Sequence, residues 1–205
     1  MDSFSLLETM RLETGGITRL ERHLSRMASA ATHFGYPWNE AAVRQAIALT
    51  VAAHRDGCWR LRLLLTPEGH PTVECTPHVQ DSRGPWRVAF ALEPIDPDDP
   101  FILNKTTRRQ VYDSARRSRA DVDDVLLWNS RGEVTESTIG NVVVEIDGTR
   151  YTPPVASGLL AGTFRAEQLE AGTIYERVLT KTDVASASRL WIINSVREWV
   201  EVVLV

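Results

Sequence analysis

Apolar residues near the start of the chain follow first a strand-like and then a helix-like spacing. SFSLLETMRLE, residues 3–13, a Gly15-Gly16 turn and ITRL predict a hairpin of short strands that leads into a helix. In RLERHLSRMASAATHFG the apolar positions recur at steps of four and three, which predicts one buried helical face ending at Gly35. The residues of this face are Leu20, Leu24, Met27, Ala31 and Phe34.

The following stretch predicts a second helix and three strands. Asn39, after Pro37, is the candidate N-cap of a helix that contains Val43 and Ile47 and extends to His54. CWRLRLLLT and PTVECTP predict two strands joined by the turn at residues 67–70, and WRVAFAL predicts a third. The first half is therefore expected to form a small α+β unit.

A boundary between two lobes is predicted at residues 93–100. This segment, EPIDPDDP, contains three prolines and four acids without apolar periodicity, as is typical of a linker. The predicted lobes are residues 1–92 and 101–205.

The second lobe is predicted to be another mixture of helices and strands, so the fold class is α+β. KTTRRQVYDSARRSRA, residues 105–120, predicts a helix with a basic outer face. A new sheet is expected to begin at DVLLWN and its SRGE turn, and to continue through NVVVEID, an Asp147-Gly148 hairpin turn and TRYTPP. The remaining expected elements are a loop and short helix in GLLAGTFRAEQLEAG, a strand in IYERVLT, a helical turn in DVASA, and strands in RLWIINS and WVEVVLV.

Composition and charge exclude several function classes. The 27 acids and 23 bases give a formal net charge of -4, and the bases form no stripe, which argues against a nucleic-acid partner. The start of the chain carries acids where a signal peptide carries bases, and no apolar run approaches the ~20 residues of a membrane span. A cytoplasmic protein without membrane contact is expected. Cys58 and Cys75 are expected to be reduced, and the five histidines show no metal-ligand spacing, so no metal is expected.

The scarcity of lysine draws attention to Lys105. Of the 23 basic residues only Lys105 and Lys181 are lysines, although arginine supplies charge equally well. A lysine amine, unlike a guanidinium, can lose its proton and form a Schiff base with a carbonyl. Lys105 follows the predicted linker, where a ligand cleft between lobes is expected. The alternative is a surface cation that opens a helix.

Two further features of the second lobe suit the same ligand. Glu136, in VTESTIGN, is an acid at a strand end within a turn rich in Ser and Thr, and a capping role is an equal alternative. Gly162 and Thr163 precede a helix, whose first N–H groups and hydroxyl favour a phosphate, although a simple cap is the commoner role. An amine for an aldehyde, a carboxylate for a ring nitrogen and an anion site for a phosphate together match pyridoxal 5'-phosphate.

Six segments resemble the motifs of class IV pyridoxal-phosphate enzymes. They are FSLLETMRL, which resembles a family strand that ends in an E-T pair, the His-x-x-Arg motif in HLSRM, and the segments NKTTRR, VTESTIGN, GLLAGTFR and INS. This family contains branched-chain aminotransferases, D-amino acid aminotransferases and aminodeoxychorismate lyases. The resemblance implies a two-lobed fold with pyridoxal phosphate in the interlobe cleft.

The resemblance also implies a role for individual residues. Lys105 is the implied Schiff-base lysine and catalytic residue, and Glu136 the implied partner of the pyridine nitrogen. The implied phosphate ligands are Arg26, Thr163, Phe164 and Ser195. Apart from the resemblance, Arg197 lies beside Ser195 in the sequence and is a candidate for binding a substrate carboxylate, with an exposed ion pair to a neighbour as the alternative. The same two alternatives apply to Arg108 and Arg109.

Within the family, residues 103–199 resemble most closely the lyase domain at the C-terminal end of fused aminodeoxychorismate synthase and lyase proteins. The implied activity is a 4-amino-4-deoxychorismate lyase that makes 4-aminobenzoate, a step of folate biosynthesis, from a small-molecule substrate. A homodimer is also implied, and a separate synthase partner stays open. The family's N-terminal D-R-G-x-x-x-G-D-G run is absent. The alternatives are an aminotransferase of branched-chain or D-amino acids, and a noncatalytic relative that serves as a binding subunit.

Overall fold

The structure, a computed structural model, describes residues 3–14, 16–54, 56–79 and 84–205. Its contacts divide the chain into two units, each a mixture of helices and strands, which confirms the α+β prediction. The first unit is Met1–Asp81 with Asn104–Arg108, and the second is Ser82–Leu103 with Arg109–Val205. The sequence had placed the boundary at residues 93–100, which here lie within the second unit.

The first unit is an antiparallel sheet with two helices. The strands are β1 (Leu6–Glu13), β2 (Gly16–Ile17), β3 (Trp59–Leu65) and β4 (Pro71–Pro77), in the order β2-β1-β3-β4. The helices are α1 (Leu20–Phe34) and α2 (Glu40–Ala53). Alternate residues of β1 and β3 point into the core because successive side chains of a strand lie on opposite faces. This core includes Leu6, Met10, Leu61, Leu63 and Leu65.

Both helices of the first unit begin and end where the sequence predicts. Leu24, Met27 and Ala31 of α1 are buried, and Gly35 ends the helix in the left-handed conformation, which glycine adopts without steric cost. The Asn39 side chain accepts a hydrogen bond from the amide of Ala42 and so caps α2.

Residues 104–108 belong to the first unit because they pair with the beginning of β1. The Leu7 amide donates to the Lys105 carbonyl at 3.0 Å, and the Thr107 amide donates to Ser5 at 2.9 Å. These backbone groups are therefore unavailable for a helix. The helix predicted over residues 105–120 is accordingly shorter and begins only at Gln110.

The second unit contains a large sheet that closes on itself. Its strands are β5 (Trp86–Phe90), β6 (Asp124–Trp128), β7 (Glu133–Ser137), β8 (Asn141–Ile146), β9 (Thr149–Thr152), β10 (Tyr175–Glu176), β11 (Leu179–Thr180), β12 (Arg189–Asn194) and β13 (Glu198–Leu204). Neighbouring strands follow the order β10-β9-β8-β12-β13-β5-β6-β7-β11. A further pairing of β7 with β8, at Glu136 and Asn141, closes a ring of six strands among the described residues.

Short helices accompany this sheet. They are α3 (Pro100–Leu103), α4 (Gln110–Ser118), α5 (Thr163–Glu170), α6 (Lys181–Ser186) and a 3-10 turn at Val155–Ser157. Residues packed with α4 form one apolar cluster that includes Ile102, Tyr112, Val125 and Leu127. Phe164 of α5 packs in another cluster with Val143, Ile174, Trp191 and Ile193. Within the described residues, no helix has both the length and the apolar character that crossing a membrane requires.

Three expectations for this half need correction. The strand WRVAFAL belongs to the second unit, where β5 lies parallel between β13 and β6. The expected linker is ordered against this sheet, since Ile95 is buried and bridges to Asn129. IYERVLT forms two short strands instead of one, because β10 pairs with β9 and β11 pairs with β7.

The Asp147-Gly148 turn is confirmed, with φ of 51° and 75° as a type I′ turn requires.

Candidate active site

A buried charged cluster lies on the helix-facing side of β1 in the first unit. Glu8, which is 1% exposed, accepts two hydrogen bonds from Arg26, from Nε and from Nη2, each at 2.7 Å. Its Oε2 also lies 2.6 Å from Nδ1 of the buried His23. His23 and Arg26 are three residues apart on α1 and so lie on the same face of the helix. The resemblance implies an E-T pair at the end of this strand, but Glu8 and Thr9 lie in the middle of β1.

The cluster keeps Glu8 ionised. Burial alone would raise the pKa of this carboxyl, but the charge and hydrogen bonds of Arg26, together with His23, lower it to about 2. Burial lowers the pKa of His23, an effect that Glu8 opposes and that the positive charges of Arg26 and Lys105 reinforce. The guanidinium of Arg26 is thus held in a fixed plane by a carboxylate that stays charged.

Lys105 is positioned by backbone pairing in the same unit. Its carbonyl accepts from Leu7, the residue before Glu8, and the next residue, Thr106, bridges to Leu6. The side chain is half-buried, and its charge acts on His23. Lys105 therefore does not open a helix, and it lies within electrostatic range of the Glu8 cluster.

Glu136 lies in β7 of the second unit and is 3% exposed. Its Oε1 accepts a hydrogen bond of 2.7 Å from the hydroxyl of Tyr112, which is buried on α4. Burial, followed by the charge and hydrogen bond of Glu136, raises the pKa of Tyr112 well above its usual value, so the phenol remains a donor. The sequence had singled out Glu136 but not Tyr112.

The turn after Glu136 is fixed by short polar contacts. The Ser137 hydroxyl accepts from the amide of Gly140 at 3.0 Å. Arg109 donates from Nη2 to the Thr138 carbonyl at 2.5 Å, and the Thr138 hydroxyl donates to the buried Asp124. A side chain at Gly140 would collide with the Ile193 carbonyl of β12. Only glycine therefore fits this turn against its neighbouring strand.

The beginning of α5 lies beside this hairpin. Asn141, the first residue of β8, donates from Nδ2 to the Leu160 carbonyl at 2.9 Å. A Cβ at Gly162, the N-cap residue of α5, would collide with the Asn141 side-chain oxygen. Thr163 and Phe164 are buried in the first turn of α5, where a helix carries the positive end of its dipole. This end of α5 therefore suits an anion.

Arg165, in the same helical turn, holds the segments around this end of α5. Its side chain is 4% exposed and donates from Nη2 to the Pro153 carbonyl at 2.8 Å and to Glu176 at 2.5 Å. These contacts tie the first turn of α5 to two neighbouring segments.

Ser195 and Arg197 follow β12 in a tight turn. Asn194 accepts from the amides of Val196 and Arg197, and its side-chain nitrogen lies 3.4 Å from the Ile139 carbonyl. The contact between Asn194 and Ile139 brings the end of β12 to the turn that follows Glu136. Ser195, the next residue, is buried. Arg197 is exposed and lies over the Trp86 ring at 5.5 Å.

The predicted site residues thus form two groups, one in each unit. Arg26, Lys105 and Arg108 belong to the first unit, where Glu8 joins Arg26 to His23. The second unit brings Glu136 together with the start of α5 and the end of β12 through contacts of Asn141 and Asn194. Sequence reasoning missed Glu8 as the partner of Arg26, although the family motif included it. It also missed Tyr112, for which no local pattern gives a signal.

Lys181, the second lysine, lies in a different setting. It begins α6, which Thr180 and Asp183 cap reciprocally. Its ammonium lies 3.3 Å from the centre of the Trp128 ring. This cation–π contact gives the residue a structural role.

Comparison with known proteins places these groups in a wider context. The family model of amino-transferase class IV matches residues 5–205. A protein of Schizosaccharomyces pombe named "Putative aminodeoxychorismate lyase" is 33% identical over 100% of this chain and 91% of its own length.

Solved structures with the same fold include proteins named as aminotransferases. A crystal structure named as a "Putative amino-acid aminotransferase" from Mesorhizobium loti is 33% identical, with a TM-score of 0.92 over 98% of this chain and 100% of that one. A "hypothetical aminotransferase" from Mycobacterium tuberculosis in a PLP-bound form shares the fold, with 22% identity and a TM-score of 0.85 over 98% of this chain and 81% of that one.

Proposed function

The chain belongs to the amino-transferase class IV family, and we propose that it is a pyridoxal-phosphate enzyme that acts as a 4-amino-4-deoxychorismate lyase. The reaction eliminates pyruvate from the substrate and yields 4-aminobenzoate. The observation that carries the specific activity is the full-length similarity, at 33% identity, to a relative named for this reaction. The proposal includes the homodimer that the family implies.

The chemistry of the available donors fits pyridoxal phosphate. Lys105 supplies an amine, and Glu136 supplies a carboxylate that is nearly fully buried and bonded to a neutral phenol. A buried carboxylate is stabilised by a positive partner, which a protonated pyridine nitrogen provides. The start of α5 supplies amides and a hydroxyl for a phosphate.

Each residue has a defined role in this proposal. Lys105 would hold the cofactor through its amine, and Glu136 would keep the ring nitrogen protonated. Arg26, Thr163, Phe164 and Ser195 would hold the phosphate. When bound, the cofactor supplies an electron-accepting ring that stabilises negative charge on the substrate carbon.

The protein's own part in the elimination is proton removal at one carbon. Lys105 takes the proton from C4, the carbon that bears the substrate amine, and the electron pair expels the enolpyruvyl oxygen from C3. The leaving group gains one proton and becomes pyruvate, and the ring becomes aromatic. Because aromatisation drives the step, the protein needs mainly to hold C4–H toward Lys105. Arg197 and Arg108 are the proposed ligands of the substrate carboxylates.

An aminotransferase is the second candidate, since the Mesorhizobium loti protein is equally similar at 33% identity and is named for that activity. Amino transfer would begin with the same proton removal by Lys105, but it would also need a keto acid as a second substrate to accept the amino group. The two activities therefore differ in the need for a second substrate.

The decisive experiment supplies purified, cofactor-loaded protein with aminodeoxychorismate alone. Formation of 4-aminobenzoate and pyruvate in equal amounts, without any keto acid, supports the lyase. Parallel reactions contain branched-chain or D-amino acids with 2-oxoglutarate. Rapid amino transfer without 4-aminobenzoate would replace the lyase with the aminotransferase. A protein that binds no pyridoxal phosphate would contradict both and favour a noncatalytic binding subunit.

A further inference from the structure

Tyr112 is a buried polar residue that the proposed reaction does not use directly. Its side chain is 7% exposed, and it packs among Ile102, Val125 and Leu127. The hydroxyl of Tyr112 lies at the edge of this apolar cluster and donates a hydrogen bond of 2.7 Å to Oε1 of Glu136. A buried hydroxyl needs a partner, and here the partner is the carboxylate that is proposed to face the cofactor.

The ring of Tyr112 is itself held by a charged residue of the same segment. The guanidinium of Arg109, three residues earlier, lies 4.4 Å from the ring centre. Arg109 also donates to the carbonyl of Thr138, two residues after Glu136. The beginning of α4 is thus attached to the strand of Glu136 through Tyr112 and to the following turn through Arg109.

We propose that Tyr112 is a positioning residue for Glu136, an inference that rests on the proposed function. The phenol fixes the carboxylate plane and stabilises its charged form by donating one hydrogen bond. The cofactor's ring nitrogen would then meet a carboxylate that is already aligned. Tyr112 touches neither cofactor nor substrate in this scheme, and it acts entirely through Glu136.

Tyr112 remains a hydrogen-bond donor at neutral pH. Burial and the neighbouring Glu136 raise the pKa of Tyr112 well above its usual value, and Arg109 opposes this only in part. The phenol therefore keeps its proton. A phenylalanine at this position would preserve the ring and its contact with Arg109 while it removes only the hydrogen bond.

The test compares Tyr112→Phe with Tyr36→Phe in the full chain. Tyr36 donates a hydrogen bond of the same length, 2.7 Å, to the Phe4 carbonyl in the first unit. Both variants lose one phenol hydrogen bond, so both are expected to lose thermal stability. Only Tyr112→Phe is expected to weaken pyridoxal-phosphate binding, by roughly three- to tenfold, and to shift the visible absorption band of the bound cofactor.

A double-variant cycle asks whether the effect passes through Glu136. In a Glu136→Ala background, which removes the acceptor that an amide would keep, the further change Tyr112→Phe is expected to alter cofactor affinity less than twofold. An undiminished effect in that background overturns the proposal. So does a Tyr112→Phe protein whose cofactor affinity and absorption band match those of Tyr36→Phe.

A second substitution keeps the test informative if Tyr112→Phe folds poorly. Replacement of Tyr112 by 3-fluorotyrosine preserves size and hydroxyl but makes a stronger donor, so the band is expected to shift in the opposite direction. An unchanged band contradicts the role. A wild-type protein that binds no cofactor would instead refute the proposed function, and this result is obtained before any variant is made.

Discussion

The two units each bury a carboxylate, but they surround it with different partners. Glu8 in the first unit meets a guanidinium and a histidine, and its pKa falls to about 2. Glu136 in the second unit accepts a hydrogen bond from a neutral phenol. The charge of Glu8 is matched inside the protein, where it fixes Arg26. On the proposed function, Glu136 faces the ring nitrogen of the bound cofactor.

The largest expected effect distinguishes the two lysines. Lys105→Arg keeps the charge but removes the amine, so activity is expected to fall at least ~10³-fold and the visible band of the cofactor to disappear. The same change at Lys181 retains a cation over Trp128 and is expected to leave both intact. Steady-state kinetics and absorption spectra of both variants are the measurement. A Lys105→Arg protein with normal turnover would remove Lys105 from the site.

Exchanging each carboxylate for an amide sharpens the comparison. Glu8→Gln leaves Arg26 without its buried counter-ion and is expected to cost about 3–5 kcal/mol of unfolding free energy. Glu136→Gln keeps an acceptor for Tyr112, so we expect less than half of that loss but a larger loss of cofactor affinity. Urea unfolding and cofactor titration of both variants provide the measurement. Equal stability losses would show that the two carboxylates are not held differently.

Acid unfolding tests the charge of Glu8 directly. Because its folded pKa of about 2 lies below its ordinary value of 4.5, its contribution is complete above pH 4.5 and is lost as the pH falls toward 2. The contribution is about 3 kcal/mol. Unfolding free energies across this range should therefore fall more steeply for the wild type than for Glu8→Gln. Parallel curves would refute the strong ion pair.

The Arg26→Ala variant tests whether the guanidinium of Arg26 binds the phosphate of the cofactor. Arg26→Ala is expected to weaken cofactor binding about tenfold to a hundredfold, because it removes one charge-assisted contact. Arg44→Ala is the control, since Arg44 pairs with Glu21 and Glu40 at the surface of the same unit. Cofactor titration well below the melting temperature separates affinity from stability. Equal affinities of the two variants would mean that Arg26 does not contact the phosphate.

The smallest expected effect concerns the start of α5. Gly162 has φ of -66°, which any residue adopts, so Gly162→Ala costs only the collision with Asn141, about 1–3 kcal/mol. Because the start of α5 is displaced, thermal unfolding should occur at a lower temperature and cofactor titration should show weaker binding. At Gly84 a Cβ meets no atom within 4 Å, so Gly84→Ala is the matched control. An unaffected Gly162→Ala protein would show that the packing there is loose.

Local signals predicted the local structure well. The spacing of Leu24, Met27 and Ala31, the Asn39 cap and the Asp147-Gly148 turn all act within a few residues, and the structure confirms each of them. The same holds for the family motifs, which identify the matching family. A short segment is sufficient where neighbouring residues determine the conformation.

Features that depend on distant pairing were missed. Residues 105–107 do not join the helix because the chain at the start of β1 binds their backbone, and β5 joins the second unit because β13 and β6 lie on either side of it. The partnership of Tyr112 with Glu136 spans 24 positions and depends on how α4 packs. No periodicity within α4 or β7 encodes such a contact.

The parallel pairing of β5 with β13 has a consequence for synthesis. Trp86 and Val202 are partners although more than one hundred residues separate them along the chain. Such long-range contacts slow folding, because the intervening chain must be ordered before they form. On a ribosome, the first unit lacks only residues 104–108 early in translation, whereas β5 must wait for β13 to emerge. The edge of β5 that pairs with β13 therefore has no strand partner during that interval.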